Sequence, residues 1–411
     1  MPREPFAEGG APPGGWKPTQ GFPSSRVRGA KPLTALDFTM LLKDTKMKRN
    51  PPRLVFWETT SRCNLKCVHC RRTNVPERGD ELYELPTAEF KAILSSLKGE
   101  GRPPMVVFSG GEPLMRPDLP ELLAFAKERG IPFAIATNGA LVDEAMAGML
   151  ASYGPHRISV SLDGSRAATH DEFRGQKGSF EKAVNALKLF RAAGISTQIN
   201  CSVSTKNVAE RDEVVALARE LGVDALHFFL LVPVGCGAEL PDAMRLGAEN
   251  YEEFLNWLMV QQGGQSGHAP HGHGQPPEGG MEIRATCAPH QTRIVRQKVA
   301  ASSPEFAGRT AQMRGCLAGS AIAFISHKGE VFPCGYLPVP AGDLKKQSFW
   351  EIWENSEVFK TISDPGALKG KCGVCEFKVI CGGCRARAFG VTGDFMGQEP
   401  YCLYEPKRKG K

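Results

Sequence analysis

Leu54-Val55-Phe56-Trp57, followed five residues later by Cys63-Asn64-Leu65-Lys66-Cys67-Val68-His69-Cys70, is the stretch whose reading decides the fold. The apolar run is a strand signal, and it leads into a loop whose cysteines are spaced C-x₃-C-x₂-C. Thiolates bind soft metals and iron–sulfur clusters, and each iron of a cubane cluster takes one outside ligand. Three thiols on one short loop would hold three irons and leave the fourth open to a small molecule. An open position is what separates catalytic from structural metal sites. The competing reading of the same thiols is a zinc knuckle.

Downstream, strand and helix signals alternate. Thr87 can cap a helix whose Phe90, Ile93, Leu94 and Leu97 share one face. Met105 to Phe108 reads as a second strand, followed by a helix carrying Leu119, Leu122 and Leu123 and stopped at Gly130. Phe133 to Ala136, Arg157 to Leu162, Ile195 to Ser204 and Ala225 to Val232 are four more strands, each with a helix after it. Parallel neighbours need crossovers, so six such units predict an α/β fold with a parallel sheet. Six are too few for a closed eight-fold barrel and fit a partial (β/α)₆ barrel; a doubly wound open sheet is the runner-up. The polar turns Ser109 to Pro113, Thr137 to Gly139, Asp163-Gly164 and Pro233 to Gly235 all follow strands, as the cysteine loop does. In parallel sheets of either kind, ligands gather at the carboxyl ends of the strands.

Residues 1–50, rich in Gly, Pro and basic residues, read as a poorly ordered tail, 51–262 as the barrel, 263–280 as a Gly/His/Pro-rich linker and 281–411 as a small cysteine-rich domain. His268, His271 and His273 in the linker read as a solvated loop. The net charge of +7 over 411 residues fits a polyanionic small molecule as well as it fits nucleic acid, so it decides little; no nucleic-acid partner is expected. No apolar run approaches the ~18 residues of a membrane span, and no signal-peptide core opens the chain, which places the protein in the cytoplasm. There, an odd count of 13 cysteines argues for metal ligands over disulfides. Ten of them fall in two groups: Cys63, Cys67 and Cys70, then Cys316, Cys334, Cys372, Cys375, Cys381, Cys384 and Cys402. Seven thiols exceed the four that one cluster needs, so the second group predicts two sites. A zinc ribbon over Cys372–Cys384 is the alternative.

The cysteine loop after a first strand, with Gly110-Gly111-Glu112-Pro113 after the second, resembles the radical S-adenosylmethionine (SAM) superfamily over roughly residues 54–235. The resemblance implies that Cys63, Cys67 and Cys70 hold a [4Fe–4S] cluster whose open iron is chelated by SAM, and that one electron cleaves SAM to a 5′-deoxyadenosyl radical. It implies that Gly110, Gly111 and Glu112 receive the SAM amino group, Ser161 and Asp163 the ribose, and Arg174 the carboxylate. His69 stands where the superfamily more often has an aromatic ring against the adenine. The second group, Cys316-x₁₂-Gly329-x₄-Cys334 then Cys372-x₂-Cys375-x₅-Cys381-x₂-Cys384 and Cys402, resembles the SPASM extension, with its last gap one residue short. By position, Cys372, Cys375, Cys381 and Cys402 would hold one auxiliary [4Fe–4S] cluster. Cys316, Cys334 and Cys384 would hold the other, with Cys287 a candidate fourth ligand.

A closer likeness covers most of the chain from about residue 52. Cys70-Arg71-Arg72, Leu230 to Gly235, Ala285 to His290, Gly315 to Gly319, Phe332 to Leu337 and Cys381 to Ala388 are similar to the anaerobic haem b synthases of the siroheme-dependent pathway and to haem d₁ biosynthesis proteins. That likeness implies oxidative decarboxylation of two propionates of iron-coproporphyrin III to vinyl groups. Each propionate radical needs an acceptor for one further electron, which an auxiliary cluster can be. A low-potential donor such as a flavodoxin or ferredoxin is implied for SAM cleavage. A tetracarboxylate calls for guanidinium forks: Arg71 and Arg72 first, then Arg293, Arg385 and Arg387. His227, His290 and His327 are candidates for the porphyrin iron. The alternatives are a sister tetrapyrrole enzyme, a peptide- or sulfatase-maturing SPASM enzyme, and a non-catalytic electron carrier or zinc scaffold.

Overall fold

A computed structural model describes residues 49–72, 84–99, 101–262, 280–302 and 314–407. The poorly ordered tail, apart from its last two residues, and the histidines of the linker lie outside the described residues.

The first strand, β1 (Leu54–Glu58), runs beside β2 (Met105–Ser109) in parallel, with Leu54 opposite Met105 and Glu58 opposite Ser109. Helix α1 (Thr87–Ser96) makes the crossover, and its Phe90 ring stacks on Trp57 at 3.7 Å. The apolar face inferred from helical spacing is the buried one: Phe90, Ile93, Leu94 and Leu97 have 3% exposure or less. The same alternation continues through α2 (Leu119–Glu128), β3 (Phe133–Thr137), α3 (Glu144–Tyr153) and β4 (Ile158–Ser161). A short helix absent from the sequence reading, α4 (Ala167–Arg174), precedes α5 (Ser179–Ala192). Then come β5 (Thr197–Val203), α6 (Arg211–Glu220), β6 (Ala225–Leu230) and α7 (Ala248–Gln261). Burial on both faces accounts for the near-continuous apolar strands.

The sheet does not stop at six. Strand β7 (Glu282–Thr286) adds in parallel to β6, and the C-terminal region contributes β8 (Ile322–Ile325), β9 (Glu330–Phe332) and β10 (Gly342–Asp343). The order is β10-β9-β8-β1-β2-β3-β4-β5-β6-β7, with β8 parallel to β1 and only β9 and β10 joining antiparallel. The α/β parallel-sheet fold is thus as read, while β7 and β8 carry the region assigned to a separate cysteine-rich domain into the barrel's own sheet. The physical reason is the distance to their partners: β8 pairs Ile322 with Leu54 and β7 pairs Glu282 with Ala225, neighbours that tertiary placement chooses and local pattern does not name. Beyond β7 lies α8 (His290–Ser302), and beyond β10 lie α9 (Phe349–Asn355), α10 (Glu357–Ser363), α11 (Gly370–Val374) and α12 (Arg385–Thr392). Among the described residues no helix is long and apolar enough to cross a membrane.

The turn after β6 locks onto the end of the cysteine loop. Cys236 N–H donates to the Arg72 carbonyl at 3.0 Å, and Gly237 N–H donates to that of Cys70. Gly235 has φ of +57°, and a Cβ there would lie 2.2 Å from the Arg71 carbonyl oxygen. Both left-handed backbone and close approach demand glycine. Gly235→Ala is expected to cost at least ~2 kcal/mol and to lower iron uptake at the neighbouring loop. Urea unfolding and iron analysis test this, and wild-type values for both would refute it.

Candidate active site

The cysteine loop leaves β1 at Thr59 and is seated by the turn after β2. Gly111 N–H donates to the Thr60 carbonyl and Glu112 N–H to the Arg62 carbonyl, both at 2.8 Å. A Cβ on Gly111 would meet the Arg62 carbonyl oxygen at 2.2 Å, and one on Gly110 the Thr60 oxygen at 2.7 Å. These glycines therefore admit the loop's own backbone, a role that spacing alone does not distinguish from approach to a ligand. Glu112 is fully buried; one carboxylate oxygen accepts from Leu114 N–H and the Thr137 hydroxyl, the other from Asn138 N–H. It braces the turns after β2 and β3 together, and burial pushes its carboxyl up to about 7 against those donors.

Cys63, Cys67 and Cys70 are all free thiols on this loop. Cys63 reaches the surface while Cys67 is buried. Partial desolvation pushes Cys63 up to about 11 and burial raises Cys67, with Cys67 and Cys70 acting on Cys63 and Cys70 on Cys67. Closely set thiols held protonated are a donor set that metal loading must deprotonate. Arg174, at the end of α4, lies 3.7 Å from the Cys67 sulfur through Nη1 and 2.7 Å from Asp163 through Nη2. Asp163 is fully buried and also accepts from Ser202 N–H at 2.7 Å, with His69 Nε2 at 3.3 Å. Burial opposes its charge, yet the Arg174 guanidinium and the Ser202 N–H hold its carboxyl below the ordinary range. Asp163 is thus engaged with protein donors, and Ser161 stands just before it at the end of β4. His69 packs 4.7 Å from Phe173, and burial lowers it to about 4, so the ring is neutral.

Arg71 and Arg72 are not unattached forks. Both bond Glu58, the last residue of β1, at 2.5 and 3.3 Å, and His327 Nδ1 meets its other oxygen at 2.6 Å. Arg71 also lies over the Phe324 ring of β8 at 4.5 Å. Burial would raise the Glu58 carboxyl, but Arg71, His327 and Arg72 hold it down to about 2. Glu58 was missed in the sequence; its signal was a carboxylate ending an otherwise apolar strand at the ligand-bearing rim. The weaker arginine candidates have partners within the protein. Arg387 is fully buried, bonding Glu399, Cys287 O and Leu230 O; Arg385 bonds the Gly383, Phe395 and Gly397 carbonyls; Arg293 pairs with Glu252. They knit the C-terminal region together. Of the histidine candidates for the porphyrin iron, His227 sits on β6 with Gln198 and Glu282, His327 is held through Nδ1 by Glu58, and His290 is fully buried.

The C-terminal cysteines sort into two places. Cys372, Cys375, Cys381 and Cys402 line one pocket, together with His290, Arg293, Lys371 and Lys378. Cys287 hydrogen-bonds Cys384, and Cys287 and Cys334 pack around buried Cys384 with Val232, Val234 and Leu337. Cys316 feels the charge of Cys384, and Cys334 feels that of both. Cys287 is the one described non-glycine residue with positive φ, at 58°, a strained conformation of the kind that collects at functional sites. Glu399 joins the two places: its N–H donates to the Cys372 sulfur at 3.3 Å and its carboxylate accepts from Cys384 N–H at 2.7 Å. Among the described residues no three His, Cys, Asp or Glu side chains converge on a single metal ion.

Family models match the radical SAM superfamily over residues 57–218 and the SPASM iron–sulfur cluster-binding domain over 316–384. An AdoMet-dependent heme synthase of Methanosarcina barkeri is 42% identical over 367 residues, spanning 88% of this chain and 99% of that protein. An Fe-coproporphyrin III synthase of the same organism is 30% identical, over 87% of this chain and 89% of that one. Streptococcus suis SuiB bound to S-adenosylmethionine shares the fold at a TM-score of 0.65 and 17% identity, covering 86% of this chain and 77% of that one. With its sheet, its cysteine loop and its C-terminal thiols in this arrangement, the chain belongs to the radical SAM superfamily, to its SPASM-bearing branch, and within that branch to the family of the AdoMet-dependent heme synthases.

Proposed function

We propose that this enzyme converts iron-coproporphyrin III to haem b by oxidative decarboxylation of two propionates to vinyl groups. The observation that carries the reading is the 42% identity to an AdoMet-dependent heme synthase over 99% of that protein's length. The family brings a [4Fe–4S] cluster and SAM with it. When bound at that cluster, SAM supplies removal of one hydrogen atom from each propionate β-carbon. Loss of CO₂ and one electron then leaves the alkene.

The chain's own residues frame that chemistry. Cys63, Cys67 and Cys70 hold the cluster, and Arg174 places a cation against Cys67 and favours its thiolate. Gly110, Gly111 and Glu112 shape the turn that receives the SAM amino group, with backbone seating the loop from behind. Ser161 and Asp163 lie at the ribose end, where Asp163 also fixes Arg174. Arg71 and Arg72, beside Cys70 and oriented by Glu58, address the substrate's carboxylates. Cys372, Cys375, Cys381 and Cys402 would hold one auxiliary [4Fe–4S] cluster, and Cys316, Cys334 and Cys384 with Cys287 as fourth ligand would hold another; such clusters would supply an acceptor for the remaining electrons. A flavodoxin or ferredoxin supplies the low-potential electron for SAM cleavage.

The test is anaerobic reconstitution with iron and sulfide, then incubation with SAM, reductant and iron-coproporphyrin III. Mass spectrometry is expected to show the porphyrin losing the mass of two formic acid units. SAM consumption with unchanged iron-coproporphyrin III, and turnover of didecarboxysiroheme instead, would move the protein to the iron-coproporphyrin III-forming reaction.

A further inference from the structure

His290, the first residue of α8, is fully buried, and neither ring nitrogen has a hydrogen-bond partner among the described residues. Leaving two buried polar atoms unmatched is costly, so such a group calls for an explanation. The ring is held edge-on to Tyr251 with centroids 4.8 Å apart, and it forms part of the wall of the pocket lined by Cys372, Cys375, Cys381 and Cys402. Its helix is fastened to the same pocket, because the Thr292 hydroxyl donates to the carbonyl of Ile380, next to Cys381, at 3.0 Å. Arg293, three residues further along the helix, lines the pocket too, and its Nε also has no hydrogen-bond partner among the described residues.

We infer that His290 is a positioning residue for the auxiliary cluster of this pocket: a ring N–H donates to a sulfur of the cluster and raises its reduction potential. The inference rests on the proposed assignment of the four cysteines. Hydrogen bonds to sulfur stabilise the more negative, reduced state of an iron–sulfur cluster and are a principal means by which a protein sets its potential. Burial, against the pull of Glu399 and helped by Arg387, Arg293 and Arg385, lowers the imidazole to about 4, so it is neutral with one N–H to give. This makes the Cys287 to His290 segment serve both thiol sets, Cys287 toward Cys384 and His290 toward Cys372 and its companions. In the proposed reaction, a higher potential at this site makes it a better sink for the substrate's electron.

The experiment is an EPR-monitored redox titration of the full-length reconstituted protein, comparing wild type, His290→Phe and His290→Gln. Phenylalanine keeps the ring against Tyr251 and removes both nitrogens, whereas glutamine keeps a donor. One auxiliary potential is expected to fall in His290→Phe and to recover in part in His290→Gln, with iron content unchanged in both. Unchanged potentials at full iron content would overturn the inference. An equal loss of iron in both variants would also overturn it, by making His290 a determinant of cluster retention instead. Cys375→Ala serves as the companion: full iron content there would refute the cysteine assignment itself, separately from the role of His290.

Discussion

Cys67→Ala is expected to abolish cleavage of SAM and to lower the iron content of the reconstituted protein by about four per chain, because losing one of three thiols leaves a cubane cluster too few ligands. Cys67 is the buried member of the three and the one that Arg174 touches, so alanine also removes the sulfur that guanidinium faces. Methionine formation under dithionite measures the first effect and iron analysis the second. Cys375→Ala is the contrasting variant. Its thiol belongs to the outer pocket, so SAM cleavage persists in part while vinyl formation stops. Equal loss of cleavage in both variants would remove the electron-acceptor role from the outer pocket.

Glu399→Ala should destabilise the protein by roughly 3–5 kcal/mol, the usual consequence of stripping one partner from a fully buried ion pair. Glu399 and Arg387 are both inaccessible and 3.4 Å apart. Burial would raise the Glu399 carboxyl, yet the Arg387 guanidinium and the Cys384 N–H keep it below its ordinary value, which marks it as ionised. Without it, the Arg387 charge retains only the Tyr251 hydroxyl and the carbonyls of Cys287 and Leu230. The Cys384 N–H loses its acceptor at the same time. Urea unfolding of the apoprotein measures the cost, and iron analysis should show both of the proposed auxiliary sites depleted, since Glu399 bonds backbone or sulfur of a cysteine in each set. A cost below ~1 kcal/mol would show that the pair is relaxed by solvent.

What could be read in advance was local. The C-x₃-C-x₂-C spacing, the apolar face of α1 and the glycine-bearing turns after strands are each written within a dozen residues; the structure puts the loop and the turns at one rim and packs the α1 face against β1. What escaped the reading depended on partners far along the chain. Glu58 becomes intelligible only when Arg71 and His327 arrive beside it, 13 and 269 positions away. Asp163 and Arg174 looked like two separate ligand groups, because nothing in their spacing says that α4 folds them into a 2.7 Å pair. The same holds for Arg385 and Arg387, whose sequence context resembles that of a surface cation until the surrounding carbonyls close over them.

The placement of β8 bears on how the chain is made. On the ribosome, β1 can find β2 within about fifty residues, but its other flank waits for Ile322 to Ile325. At ~5–20 residues per second the delay is on the order of 10–50 seconds. Throughout that interval Leu54 to Trp57 presents an open row of amide and carbonyl groups, the kind of flank that recruits stray strands. The nascent barrel is therefore most vulnerable to aggregation late in translation, and a ribosome stall shortly before codon 322 would prolong that danger most.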